Sequence, residues 1–432
     1  MVAKAKKILF SGFIRNMGKM ISGTGFAHLL GIAVIPVITR LYSPDQIGVF
    51  SAYVSLFMIC YSVSSLRFEY ATLIPKTSHE ANNITWLAAS ASLVSSLIVL
   101  LVLLLAGDTV TERMALGSLG RWIYLLPVSI FSYSLLMIMT FSLTREKQYG
   151  SIAGGKITAS SSTAAGQIIL ALISLQSYGL VVGKVTGNLL GMLFVVWKRH
   201  KVRSSVLAGV TPRRMVAMAK RYRNFPFWNT PHALTTTTSN NIPVLLFNSF
   251  FSEAVAGFYA MAVKALYSPV QVVAQAAYQV FSQRIAEKQA HGEKIVPFVR
   301  NTALLFAGMG LLPFMLLFIF APPLFGWFLG SGYETTGQYI RILAPFIYLV
   351  FIVTPLNFIP LMLGRQKKAF FIDVVYLSAR LAALGTGIWL NSIQAALMLY
   401  SVVGVLVNTY LLIWFLVLAK GAEREKGEPR RR

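Results

Sequence analysis

Apolar positions in this chain gather into long runs separated by short polar stretches. The clearest run, LAASASLVSSLIVLLVLLLAG at 87–107, carries no charge across 21 residues. About 20 apolar residues are needed to cross a hydrocarbon core of ~30 Å. Runs of this length suit helices, because a span must satisfy its own backbone hydrogen bonds in lipid. The pattern predicts twelve spans, at about 18–40, 47–66, 84–106, 121–142, 153–175, 178–197, 229–251, 254–280, 299–325, 338–363, 370–390 and 394–419. The fifth contains KITASSSTAAGQ, which is small and polar rather than apolar. Small residues let helix backbones approach closely, so this segment reads as a span buried among its neighbours. The expected fold is an all-α polytopic membrane protein of about twelve transmembrane helices, in two six-helix lobes around a central cavity.

Composition agrees. The 432 residues are 56% hydrophobic and 12% charged, against roughly 25% charged in a soluble domain. The basic start, MVAKAKKILFSGFIRNMGK, leads into an apolar segment too long for a cleaved leader. Net charge is +25, and its distribution decides what it means. With the N-terminus in the cytoplasm, 32 of the 39 Lys and Arg fall on the cytoplasmic side of the twelve-span scheme. That is the positive-inside pattern, with both termini cytoplasmic. The excess charge therefore orients the chain and does not call for nucleic acid.

The basic stretch KRHKVRSSVLAGVTPRRMVAMAKRYRNF, 198–225, divides the spans six and six. It reads as an orientation signal with an amphipathic helix lying on anionic lipid. The expected domains are an N-terminal lobe over 1–205, a C-terminal lobe over 206–419 that begins with this segment, and a charged tail over 420–432. The halves carry traces of each other. SPDQIGVFSAYVS (43–55) aligns with SEAVAGFYAMAVK (252–264), placing Gly48 against Gly257. REKQYGSI (145–152) aligns with RQKKAFFI (365–372). Two six-span halves in the same orientation place a substrate between them and rock one against the other.

Charges inside spans are the next signal, since each costs about 2.5–3.5 kcal/mol at a helix centre. Lys264 and Lys184 stand deep in their spans. Asp373 and Arg380 share one face of FFIDVVYLSARLAALG, about 10 Å apart along the helix axis. Arg67 and Glu69 follow the second span and read equally well as a structural ion pair or as part of a cavity mouth. Arg40 and Arg341 lie near span ends, where long side chains snorkel. His28 lies in the first span. The deep set is mainly cationic, which suits an anionic, phosphate-bearing substrate.

Other motifs carry less. YGSIAGGKIT (149–158) holds Gly150-x-x-x-x-Gly155-Lys156, most of a phosphate-binding loop. Ile157 stands where that loop needs Ser or Thr for a metal ion, and the preceding segment reads as a membrane helix rather than a strand. Gly154 and Gly155 are expected to make close helix contacts, and no ATP site is expected. Five scattered histidines lack metal-ligand spacing. No catalytic constellation, metal or cofactor is expected, and lone Cys60 reads as a small packing residue.

Several ordered stretches resemble the Wzx-type oligosaccharide flippases of the multidrug/oligosaccharidyl-lipid/polysaccharide exporter superfamily. They are TRLYSPDQIGVFSAYVSLF (39–57), SLRFEYATLIPKTSHEAN (65–82), LTREKQYGSIAGGKI (143–157), RYRNFPFWNTPHALTTTTSNNIPVLLFNSFFSEAVAGFYAMAVKALYSPV (221–270) and LMLGRQKKA (361–369). The resemblance implies movement of undecaprenyl-diphosphate-linked oligosaccharide across a bacterial inner membrane, for O-antigen or similar lipopolysaccharide biosynthesis. It implies polysaccharide polymerase and chain-length proteins as partners. Lys264 matches a basic position of the family, and His28 falls where a relative carries a first-helix arginine. The expected substrate set is Lys264, Lys184, Arg380, Arg40 and His28, with Arg67, Glu69 and Asp373 in gating or ion coupling. A cation-coupled multidrug exporter would want a deep acidic site, and a membrane-embedded polymerase would want large outward loops. This sequence is poor in both.

Overall fold

The computed structural model describes residues 30–114, 116–173, 176–201, 209–330 and 332–427. Each described predicted span is a helix. The first described helix, α1 (Ile35–Leu41), ends the first span; the rest of that span, with His28, lies outside the described residues. Spans two to six are α2 (Pro44–Ser64), α4 (Ser78–Arg113), α5 (Leu126–Arg145), α6 (Tyr149–Leu172) and α7 (Gln176–His200). A one-turn helix, α3 (Phe68–Ala71), follows α2. The basic segment contributes α8 (Pro212–Arg221). Spans seven to twelve are α9 (Thr230–Phe250), α10 (Glu253–Ala290), α11 (Val296–Leu329), α12 (Glu334–Val353, prolonged by a 3-10 turn and the short α13, Ile359–Met362), α14 (Gln366–Trp389) and α15 (Ile393–Gly427). Eight of the described segments are long and apolar enough by composition to cross a membrane; α6, α9 and α10 are long helices that fall outside that set.

Two compact units divide between Gly257 and Phe258, one turn into α10. In the first, Ser43 caps α2. Its hydroxyl accepts from the Gln46 amide while the Gln46 side chain accepts from the Ser43 amide, and Pro44 takes the first helical position. The turn behind this cap meets the start of α10. A Cβ on Gly48 would lie 1.7 Å from the Glu253 carbonyl oxygen, and one on Gly257 2.0 Å from that of Pro44. Pro44 and Glu253 occupy equivalent places in the internal repeat, as do the two glycines. The contact is thus reciprocal, and only a residue without a side chain fits either place.

Helices α6 and α7 explain why a polar segment spans. Gly155 faces Val195, Thr163 faces Gly187, Gly166 faces Gly183, and Gly191 faces Ala159. The backbones meet with almost nothing between them, so α6 needs little apolar surface of its own. Gln167 completes the seam, its side-chain amide donating to the Leu180 carbonyl at 3.1 Å and its backbone carbonyl accepting from the Tyr42 hydroxyl at 2.7 Å. The stretch 149–158 is thus helical, with Gly154 against Phe194 and Gly155 against Val195, as expected of helix contacts rather than a phosphate loop.

Helix α8 is fastened to the protein on one side, where Met218 and Ala219 pack on a core formed by Phe68, Ile84, Ala88 and Tyr222, while Val216 stays 55% exposed. Arg221 pairs with Glu80 at 3.0 Å, and Asn83 ties the preceding turn down, donating to the Gly209 carbonyl and accepting from the Thr211 amide.

The second unit packs α11 on α12, and α14 and α12 on α15. Small residues again mark the close approaches: Gly337 against Pro322, Gly387 against Ala396 and Gly404 against Phe346. Pro313, Pro322 and Pro323 stand inside α11 and Pro345 inside α12, tolerated in membrane helices where neighbours re-satisfy the freed carbonyls.

Candidate substrate site

Each unit sets a span cation against tyrosines. In the first, α2 presents Phe57 and Tyr61 four residues apart, hence on one face. Tyr133 of α5 stands edge-on to both, with ring centroids 5.5 Å from Phe57 and 4.8 Å from Tyr61. Lys184, the ninth residue of α7, places its ammonium 5.8 Å from the Tyr133 ring centre. Tyr61, Tyr133 and Lys184 are all half-buried, so the cluster keeps an accessible side. Serines support it from behind: Ser64 pairs with Ser134 at 2.7 Å, and Ser129 with Tyr53 at 2.6 Å.

The floor of this region is where α2 ends. Leu66 and Arg67 both adopt left-handed backbone, φ 52° and 58°, an arrangement that costs non-glycine residues about 1–3 kcal/mol each. The break turns α3 inward and buries Glu69, 2% exposed. Its carboxylate accepts from the Ser65 hydroxyl at 2.5 Å and lies 3.6 Å from the Arg67 guanidinium. Burial pushes this carboxyl above the ordinary carboxylate range, while the Ser65 hydrogen bond and Arg67 pull it partly back. Arg67 and Glu69 therefore form the predicted ion pair, built on a strained turn.

In the second unit Arg380 is 3% exposed and enclosed by aromatic groups. It donates to the Tyr376 hydroxyl at 2.6 Å. Its guanidinium carbon lies 4.0 Å from the Tyr376 ring centre, 4.6 Å from Tyr400 and 5.2 Å from Phe346. Tyr267 of α10 is a further hydrogen-bond partner. A desolvated cation–π contact is worth about 2 kcal/mol or more, and a hydrogen bond to a charge about 1.5–3 kcal/mol. Together these match the ~2.5–3.5 kcal/mol insertion cost, so the cage accounts for a charge at this depth. Lys264, the twelfth residue of α10, is exposed and lies one turn before Tyr267.

The remaining predicted residues are separate. Arg40 is exposed in the last turn of α1, donating to the Pro36 carbonyl at 2.9 Å. Asp373, the eighth residue of α14, is half-buried. Among the described long helices acidic residues cluster near the ends, and Asp373 is the deepest. No group of His, Cys, Asp and Glu suited to a metal ion occurs among the described residues.

Sequence reasoning passed over the tyrosines and Arg199. Tyr376 and Arg380, four apart on one helix, were the available signal. Arg199 sits in a basic run that looks solvated, yet it is 2% exposed. Its Nε donates to the Ser142 hydroxyl at 2.8 Å, and Glu146 lies 3.9 Å away.

Residues 37–338 match the model of a family described as Polysaccharide biosynthesis protein. No curated protein matches the chain by sequence. Among solved structures, the lipid II flippase MurJ in an inward closed conformation superposes with a TM-score of 0.72 at 12% identity, over 94% of this chain and 91% of that one. A MOP superfamily transporter from Pyrococcus furiosus gives 0.64 at 14% identity, over 96% of each. A mutant of the Vibrio cholerae MATE transporter VcmN gives 0.59 at 15%, over 98% of each.

Proposed function

Because the chain belongs to the polysaccharide biosynthesis protein family and has the fold of MOP-superfamily transporters and flippases, we propose that it flips undecaprenyl-diphosphate-linked oligosaccharide from the cytoplasmic to the outer leaflet of a bacterial inner membrane. The observation that carries this reading is a span cation set against tyrosines in each unit: Lys184 against Tyr133, which packs on Tyr61, and Arg380 between Tyr376 and Tyr400, with Lys264 on α10 one turn before Tyr267. Ammonium groups attract a diphosphate, while tyrosine rings and hydroxyls offer sugars an apolar face and hydrogen-bond partners together. The substrate set is Lys264, Lys184 and Arg40, with His28 in the first span; Arg380 holds the tyrosines in place as well as contributing charge.

Transport proceeds by alternating access of two six-helix lobes, without ATP. The membrane potential, at about 2.3 kcal/mol per charge per 100 mV, or a proton on Glu69 or Asp373 supplies the drive. The chain acts as a transporter rather than an enzyme and works beside a polysaccharide polymerase and chain-length proteins. The scarcity of deep carboxylates weighs against export of cationic drugs. The test is reconstitution of the full chain in proteoliposomes with a labelled polyprenyl-diphosphate oligosaccharide. Movement of label between leaflets without a new covalent product is expected. A new glycosidic product, or uptake of cationic drugs in its place, overturns the reading.

A further inference from the structure

We propose that the sugars of the substrate travel along an uncharged polar ridge of α9, formed by His232, Thr236 and Asn240. This rests on the transport reading above and adds to it a wall for the sugars beyond the tyrosines. The three residues are exposed and stand four apart on one helix. They therefore follow a single ridge, about 12 Å long at the helical rise. Asn240 is the eleventh of the 21 residues of α9, so the ridge reaches mid-span. On α4 and α11 the exposed positions at such depth include Leu97 and Leu101, and Leu311 and Leu312, the side chains that lipid calls for.

The ridge looks into the protein rather than into hydrocarbon. Pro243, Val244 and Phe247 lie three, four and seven residues beyond Asn240, hence on the same face, and all three are buried. The face that packs against protein in the second half of α9 is thus the face that stands open in its first half. Polar side chains are costly against hydrocarbon, and a histidine within a span faces a bundle interior or water. An open, polar half-helix continuous with a packed one marks an aqueous recess closed at its far end.

The chemistry of the ridge selects its ligand. Residues Thr230–Phe250 include no Lys, Arg, Asp or Glu, so α9 offers a diphosphate no countercharge and a cationic drug no carboxylate. What it offers is hydroxyl and amide. The Thr236 hydroxyl donates to the His232 carbonyl at 2.8 Å, which leaves its oxygen lone pairs to accept. The Asn240 side chain carries both donor and acceptor groups. A sugar hydroxyl is likewise donor and acceptor at once, and a chain of sugars repeats that pattern along its length. Lys184 and Lys264 then serve the diphosphate, while the α9 ridge serves the oligosaccharide.

The test uses the full chain in nanodiscs, with Thr236→Cys, Asn240→Cys or Leu97→Cys in a Cys60→Ala background. A charged maleimide is expected to label the two ridge cysteines and to leave Leu97→Cys, exposed on α4, unlabelled. A polyprenyl diphosphate carrying chitotetraose is expected to slow labelling of the ridge, and the bare polyprenyl diphosphate to leave it unchanged. Unlabelled ridge cysteines, or equal effects of the two lipids, overturn the proposal. A second measurement is flipping of both lipids in proteoliposomes by Thr236→Val with Asn240→Leu, which keeps the shape and removes the hydrogen-bonding groups. The ratio of sugar-bearing to bare lipid flipped, which does not depend on the amount of folded protein, should fall about tenfold, the size of two net hydrogen bonds. Flipping of the sugar-bearing lipid at an unchanged ratio overturns the ridge and leaves the transport reading standing. Sugar-specific protection with neither lipid flipped by the wild type supports the ridge and sinks the transport reading.

Discussion

Lys264 and Arg380 are both span cations, yet their surroundings give them different work. Arg380 is buried against three rings and a hydroxyl, whereas Lys264 is exposed. Removing Lys264 should therefore cost substrate capture rather than folding. A hydrogen bond to a charged group is worth about 1.5–3 kcal/mol, so Lys264→Ala should lower flipping about tenfold or more at unchanged protein level. Surface polysaccharide at matched expression checks this, and normal output removes Lys264 from the site. Arg380→Ala leaves tyrosines without their partner and should lower the amount of folded protein as well, read by size-exclusion in detergent. Glu69 allows a pH prediction with a definite sign. Its folded carboxyl sits above its unfolded value, so the folded state binds the proton more tightly. Stability is then greatest at low pH and falls as pH rises from the ordinary carboxylate value through the raised one. Glu69→Gln should flatten that part of the pH–stability profile, and an unchanged slope would show that another group causes it.

At the scale of elements, packing rather than propensity decides where helices meet. The α6–α7 seam has a glycine or small residue at each crossing. A Cβ on Gly187 would lie 2.0 Å from the Thr163 hydroxyl oxygen and 2.7 Å from the Ala159 carbonyl. Gly187→Leu must push the helices apart, at a cost of about 1–3 kcal/mol or more. A lower thermal midpoint in detergent is expected. Gly421→Leu, with open space around the glycine, should leave the midpoint near wild type. The hydrophobic pattern located α6 only through its neighbours, because a helix buried against small residues carries almost no apolar signature. The same blindness hid the contact that fastens α8, since its basic, amphipathic sequence does not show that Met218 packs on the Phe68 core.

For the whole molecule, the internal repeat has a physical counterpart. Gly48 and Gly257, aligned by sequence, meet each other in reciprocal contact with Glu253 and Pro44. A bulky residue at either glycine disturbs the same crossing. Gly48→Leu and Gly257→Leu should thus each cut flipping in proteoliposomes, and the double variant should lose less than the product of the two. Strictly multiplicative losses would show that the two positions act apart.

Sequence alone was enough for the helical class and for the positions of the spans among the described residues. Each rests on the cost of placing polar groups in hydrocarbon, a constraint felt residue by residue along the chain. It also singled out Lys184, Lys264 and Arg380, because a charge within an apolar run stands out. It could not say what those charges touch. Tyr61, Tyr133 and Lys184 come from three helices separated by tens of residues, and Arg199 is buried only because the ends of α4, α5 and α7 converge on it. A tyrosine or arginine looks the same in sequence whether it faces lipid, solvent or a neighbouring helix. Only tertiary packing chooses among them, because the energy of the choice lies in contacts between distant segments.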